Sequence, residues 1–261
     1  MESNAEKALT RREAIGRTAA AFASVWISGC LRQTTTGPED PIVEGPRLTA
    51  RPSTPTGTGP TGRQAFPLAV RRVLIFVPST YSPANPLPLA LLLHGSAGAA
   101  EDLMDPYQTE AERLGMILVA PECGATTWDA LTYKFSYDVN SINSALDYTF
   151  KRYAVDSAKV SIVGFSDGAT YALGLGRANG DFVSRIVAHS PGYLLPIDTL
   201  GRPRIFQTHG TTDTVLGIES TSRQIVPALR NEGYTVDYRE FEGGHGVPLS
   251  LLKEAADWMA A

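Results

Sequence analysis

The chain reads as an α/β protein in which a mainly parallel sheet carries helices on both faces, with no large cap domain. Three observations predict this. Strand-like and helix-like segments alternate from about residue 71 to the C-terminus, and such alternation calls for parallel strands joined by right-handed crossovers. The apolar run V-S-I-V at 160–163 breaks into G-F-S-D-G at 164–168, the pattern of a strand that turns sharply into a helix with a serine on the corner. The residues able to do chemistry fall just after strand-like runs, where open α/β sheets place their sites.

Taken in order, the strands are expected near 71–77, 89–93, 116–120, 159–163, 185–189, 203–208 and 234–241. Most are short apolar runs, and the last alternates apolar with polar residues. Helices are expected near 101–114, 138–153, 167–178, 221–232 and 249–260. In the second of them Ile142, Leu146, Phe150 and Tyr153 recur at helical spacing and mark its buried stripe. The third carries small residues suited to packing on a sheet. Its Gly174 and Gly176 read as helix packing, and no dinucleotide or phosphate-loop fingerprint occurs. The sequence shows no internal repeat.

Ser166 stands at the centre of G-x-S-x-G, between two glycines that tolerate unusual dihedrals and close backbone approach. A serine hydroxyl is a weak nucleophile, so acyl transfer requires a histidine to take its proton and a carboxylate to hold that histidine's tautomer. Downstream, I-F-Q-T-H-G-T-T-D places Asp213 in the loop after a strand, and E-G-G-H-G-V-P places His245 in a glycine-flanked loop before the last helix. Asp198 offers another acid on an earlier loop. His94, His189 and His209 lie on three other segments and read as structural or pocket-lining. The four histidines form no H-x-x-x-H pair and have no cysteine cluster beside them, so neither a metal nor a cofactor is expected.

The order Ser166, Asp213, His245 is that of the α/β hydrolases. With R-R-V-L-I-F-V-P-S, L-L-L-H-G-S-A-G, G-F-S-D-G-A, H-G-T-T-D-T-V-L and G-G-H-G-V-P, the chain from about Arg63 resembles a compact α/β-hydrolase esterase. It is similar to the phospholipase/carboxylesterase group and to the polyhydroxybutyrate-depolymerase and feruloyl-esterase-like group. The resemblance implies a serine esterase working through an acyl-enzyme on Ser166. It further implies an oxyanion hole made by the backbone N–H groups of Ser96, after the H-G pair, and Asp167, after the nucleophile. A carboxylate at Asp167 also suits the first turn of a helix. A ligand-binding lipoprotein of the same fold without activity, and a serine peptidase or acyltransferase using the same residues, stay open at this point.

The N-terminal part has a different character. Residues 1–30 read as an export signal: twin arginines Arg11 and Arg12, an uncharged stretch from Thr18 to Gly29, then I-S-G-C resembling a lipobox that would acylate Cys30. Twelve uncharged residues are too few to span a bilayer. Residues 31–62 are rich in Thr, Pro and Gly and read as a tether, part of which, from about Arg47, is expected to wrap the domain. Residues 63–261 form the catalytic domain. The protein is then expected outside the cytoplasm, anchored to the cell envelope through lipid at Cys30.

Composition sets further bounds. Hydrophobic residues at 43% and charged residues at 19% are those of an ordinary globular protein. The whole chain carries a net charge of −4, and removal of residues 1–30 takes away four basic and three acidic residues, leaving −5. This balance gives no reason to expect nucleic acid as a partner. With two cysteines, one committed to lipid, no disulfide framework is available, and Cys123 reads as a small buried residue. Only 47 positions separate Ser166 from Asp213, too few for a large cap, so the site is expected to be open. Its walls are sought in 121–137, with Trp128, Tyr133, Phe135 and Tyr137, and in 191–196, with Tyr193, Leu194 and Leu195.

Overall fold

The computed structural model describes residues 46–68, 71–132 and 134–261. The expected export signal, Cys30 and the tether up to residue 45 lie outside the described residues, as does Tyr133. Among the described residues eight strands form one sheet: β1 (Gly62–Leu68), β2 (Arg71–Val77), β3 (Leu87–Leu93), β4 (Ile117–Pro121), β5 (Val155–Phe165), β6 (Arg185–His189), β7 (Arg204–Gly210) and β8 (Val236–Phe241). Their spatial order is β1-β2-β4-β3-β5-β6-β7-β8. β1 pairs antiparallel with β2, and β2 with β4. Every other pairing is parallel.

Alternate residues of the strands enter two separate cores. In β3, Leu89, Leu91 and Leu93 face one core while Ala90 and Leu92 face the other; in β2, Val73, Ile75 and Val77 divide in the same way from Leu74 and Phe76. The period of two is the pleat of a strand buried on both faces. The first core takes in residues of α2 (Tyr137–Phe150), α3 (Asp167–Ala178) and α4 (Ser222–Asn231), and the second those of α1 (Glu101–Leu114) and α5 (Leu249–Ala260). Each fully buried Leu or Ile contributes about 1.5–3 kcal/mol relative to exposure, so these runs dominate the stability of the sheet.

The sheet and helices follow the sequence expectation with three differences. β1 is an additional edge strand in a stretch read as the end of the tether and the start of the domain. β5 starts at Val155 rather than near 159. α2 ends at Phe150, so Tyr153 leaves the helix; it stays buried edge-on against Tyr81, and its hydroxyl donates to the Pro60 carbonyl at 2.9 Å.

Residues 46–61, in the second half of the segment read as a tether, lie along the domain. Two asparagine side chains hold them. The Asn179 carboxamide accepts from Leu48 N–H at 2.8 Å and donates to the Pro46 carbonyl at 2.6 Å, and Asn143 Oδ1 accepts from the N–H groups of Thr49 and Ala50. Further on, Thr56 and Gly57 donate to the Lys151 carbonyl. Leu48 is buried in the core, and the Arg51 guanidinium sits 4.7 Å above the Phe182 ring. A Pro- and Thr-rich composition describes a backbone that needs partners from outside itself, and here side-chain amides supply them.

Candidate active site

The β5–α3 turn is built around contacts that exclude side chains. A Cβ at Gly164 would stand 2.1 Å from the Gly168 carbonyl oxygen, and one at Gly168 would stand 1.9 Å from that of Leu93. Between them Ser166 adopts φ 56° and ψ −119°, a conformation that L-residues rarely hold. The strain is held by Ser166 N–H donating to the His189 carbonyl at 2.9 Å, and by the Ser166 carbonyl accepting from Ala169 and Thr170. The hydroxyl is thereby lifted above the C-terminal edge of the sheet.

His245 lies in the loop between β8 and α5, with its Nε2 2.9 Å from Ser166 Oγ and its Nδ1 2.7 Å from Asp213 Oδ2. Asp213 accepts only, so Nδ1 carries the proton and Nε2 is free to accept from the serine. The Asp213 side chain is inaccessible. Burial pushes its carboxyl upward, but donation from His245, Leu216 N–H and Val215 N–H outweighs burial and holds it below the ordinary carboxylate value. The structure thus brings together the three residues named from sequence order. Asp198, the alternative acid, is exposed beside Arg47 and Phe135 and has no contact with His245.

The other three histidines are committed to internal bonds. His94 Nε2 accepts from Cys123 N–H at 3.2 Å, so its Nδ1–H donates to the Gly95 carbonyl at 2.7 Å. His209 contacts Ser222 Oγ and the Leu216 carbonyl. His189 is enclosed between the Tyr107 and Thr208 hydroxyls, both at 2.8 Å, and burial lowers its pKa from 6.5 to about 3. A lowered folded-state value means that His189 contributes stability above pH 6.5 that is lost progressively on acidification toward pH 3. Between pH 7.5 and 4.5 the parent protein should therefore lose about 2–3 kcal/mol more than His189→Asn, which carries no titrating ring. Urea unfolding at the two pH values measures this; equal losses would contradict it.

Gly95 lies close to the nucleophile, since a Cβ there would come 3.4 Å from Cβ of Ser166. Ser96 follows Gly95 and borders the same cavity as His245, and among the described residues its N–H has no hydrogen-bond acceptor. Asp167 opens α3, so its N–H has no acceptor within the helix. The Asp167 carboxylate accepts from Thr127 Oγ1 at 2.6 Å, and Ala97 N–H donates to the Thr126 carbonyl at 2.7 Å. Loop 124–128 thus braces both candidate oxyanion segments. Trp128 Nε1–H donates to the His94 carbonyl, and Asp138, its carboxyl pushed up to about 6 by burial, accepts from Gly124 N–H and Asp129 N–H. Thr127 and Asp138 carried no motif that would have singled them out.

The expected pocket walls are only partly borne out. Trp128, fully buried and stacked on Tyr171, borders with Tyr137 and loop 124–129 a cavity of about 420 Å³, and Leu195 packs against Gly174 of α3. Phe135 stacks on Tyr171 and lines a separate cavity with Leu195 and Pro196. Tyr137 and Tyr193 are exposed. The cavity that His245 borders lies elsewhere, between α1 and α5. It measures about 410 Å³ and is bounded by Ser96, Leu103, Pro106, Phe165, His245, Val247 and Leu252.

Comparison with known proteins agrees with this geometry. Residues 131–260 match the family model described as Phospholipase/Carboxylesterase. A bifunctional acetylxylan esterase/xylanase of Neocallimastix patriciarum is 26% identical over 178 residues, covering 66% of this chain and 24% of that protein. Acetylxylan esterase A of Emericella nidulans is 32% identical over 104 residues, covering 36% of this chain and 34% of that protein. The chain therefore spans between a quarter and a third of these relatives. Among solved structures, an S-formylglutathione hydrolase of Staphylococcus aureus superposes with TM-score 0.62 at 14% identity over 76% of this chain and 98% of its own. A CE1 ferulic acid esterase of Anaeromyces mucronatus gives TM-score 0.58 at 16% identity over 82% and 97%. A mainly parallel sheet in this order, a strained serine corner after β5, and likeness to these proteins in both sequence and shape lead to one conclusion: the chain has the α/β-hydrolase fold.

Proposed function

We propose that the protein is a serine esterase that hydrolyses carboxylic esters through an acyl-enzyme on Ser166. The observation that carries this reading is the single imidazole of His245 bridging Ser166 Oγ and Asp213 Oδ2 at 2.9 and 2.7 Å. Ser166 Oγ attacks the ester carbonyl carbon while His245 Nε2 takes its proton. The oxyanion is received by the N–H groups of Ser96 and Asp167. His245 then gives the proton to the departing alkoxide oxygen, releasing the alcohol. Water attacks the acyl-enzyme, His245 again takes and returns the proton, and the carboxylic acid leaves. Asp213 keeps the Nδ1–H tautomer and stabilises the imidazolium without becoming protonated.

The likeness to proteins named acetylxylan esterases and to a ferulic acid esterase supports acyl esters of carbohydrate hydroxyls as substrates. The groove between α1 and α5 supplies room for an apolar arm of such an ester. A panel of chromogenic esters of increasing acyl length, with acetylated and feruloylated oligosaccharides, tests the reading; no turnover across the panel would overturn it. In the same assay Asp213→Asn should lower kcat by roughly three to four orders of magnitude through loss of the productive histidine tautomer, whereas Asp198→Asn should behave as the parent. The reverse result would move the acid to Asp198.

In this reading the catalytic domain includes the strap from residue 46, residues 1–30 act as an export signal and Cys30 carries lipid. The I-S-G-C sequence and the charge-free stretch before it support this. Among the described residues no helix is long and apolar enough to cross a membrane. The intact mass of the native protein should correspond to a chain starting at an acylated Cys30; a mass that retains residues 1–29 would contradict the anchor and leave the esterase reading untouched.

A further inference from the structure

His209 is fully buried and lies four residues before Asp213, on the last turn of β7 into the loop that carries the acid. Its ring has partners on both sides. Gln207 Nε2 donates to Ser222 Oγ at 2.8 Å, and Ser222 Oγ lies 2.6 Å from His209 Nδ1. The Leu216 carbonyl, an acceptor only, lies 2.7 Å from Nε2, so Nε2 carries the proton and Nδ1 accepts from the Ser222 hydroxyl. The same Nε2 is 3.2 Å from Asp213 Oδ2, the oxygen that also receives His245 Nδ1–H. Burial lowers the pKa of His209, which keeps the ring neutral with one proton to give.

The geometry points to His209 as a positioning residue for the acid, an inference that rests on the esterase reading. Its one Nε2–H is shared between two acceptors that together fix Asp213. One is Oδ2 itself. The other is the carbonyl of Leu216, and the N–H groups of Val215 and Leu216 hold Oδ1 at 2.9 and 2.8 Å. Two lines of donors thus converge on Asp213: Gln207, Ser222 and His209 from one side, Ser166 and His245 from the other. Asp213 fixes the tautomer of His245, and His209, its own tautomer set by Ser222 and Leu216, holds Asp213 where it can do so. The titratable groups around His209 are Asp213 and His245 on one side, with Tyr238 and Glu240 of β8 and Arg223 of α4 on the other; Arg223 is paired with Glu240. The pattern H-G-x-x-D carries the signal in the sequence, as a histidine four positions before the acid.

Two replacements separate the two nitrogens, because a Gln amide reaches the position of Nε2 and an Asn amide that of Nδ1. His209→Asn keeps the Ser222 side and loses Asp213; His209→Gln does the opposite. With turnover expressed per serine titrated by a fluorophosphonate, His209→Asn should lower kcat roughly 10- to 30-fold with KM changed less than about twofold, since no substrate touches this residue. The acid limb of its kcat/KM profile should move to lower pH, because a carboxylate no longer held at Nδ1 stabilises the protonated base less. His209→Gln should stay within about threefold of the parent in kcat, with the parent's pH profile. Parent-like behaviour of His209→Asn, or equal impairment of both variants, would overturn the assignment. Should His209→Asn yield no folded protein, Ser222→Ala decides, since it withdraws the O–H that fixes the tautomer: a loss of about 3- to 10-fold with the same shift of the acid limb supports the role, and parent-like kinetics overturns it. A parent protein without ester turnover would instead overturn the esterase reading.

Discussion

Ser166→Ala is expected to lower kcat for any ester the protein hydrolyses by roughly four to six orders of magnitude, leaving a small residue from the oxyanion donors and binding alone. His245→Ala should be nearly as severe, and the double variant little worse than either, because nucleophile and base act as a unit. The structure explains why. Ser166 Oγ and His245 Nε2 are already at hydrogen-bond distance, 2.9 Å, and loop 124–128 braces both oxyanion segments. No rearrangement is needed before attack, so all of the loss falls on the chemical step. Stopped or steady-state kinetics on a chromogenic ester reads it directly. Additive effects of the two single variants would show that the residues do not work together.

Gly168→Ala should abolish the folded protein, or cost at least about 3 kcal/mol where any folds. The added methyl would stand 1.9 Å from the Leu93 carbonyl oxygen and 2.4 Å from that of His94. Both are backbone atoms of the central strand and its exit, and neither can turn aside as a side chain would. Relief requires α3 to move away from β3, which opens the first core and carries Asp167 away from Ser96. Thermal unfolding of the variant beside the parent checks this, and an unchanged midpoint would contradict it. Gly164 is restricted in the same manner by the Gly168 carbonyl, so the two glycines of the motif serve two successive contacts, β5 with the start of α3 and α3 with the end of β3.

The parts legible in the sequence are those with a local cause. Short apolar runs announce buried strands, and the glycines beside Ser166 and His245 announce backbone that must bend or be approached closely. Chain order separates Asp213 and His245 from their rivals because each follows a strand at the edge where sites gather. Parts with a non-local cause were harder to read. β1 sits at the sheet edge in a stretch rich in Gly, Pro and Thr, and it is a strand because β2 offers it a ladder. The groove between α1 and α5 joins residues about 150 positions apart. It exists only once the two helices pack on the same face. Trp128 reads as a pocket wall because aromatic residues in a loop commonly are; it does border a cavity with Tyr137, but its indole is buried, donating to the His94 carbonyl and stacked on Tyr171, and that cavity has neither Ser166 nor His245 in its lining. Composition does not say which cavity an aromatic in a loop will border.

The central claim is that Ser166 alone is an activated nucleophile, and covalent trapping tests it most directly. The folded protein is treated with a fluorophosphonate, its intact mass recorded, and the modified peptide sequenced by mass spectrometry. A single adduct is expected, on Ser166, absent from Ser166→Ala and from protein unfolded before treatment. Ester turnover by a protein that takes no adduct, or takes it on another residue, would contradict the account.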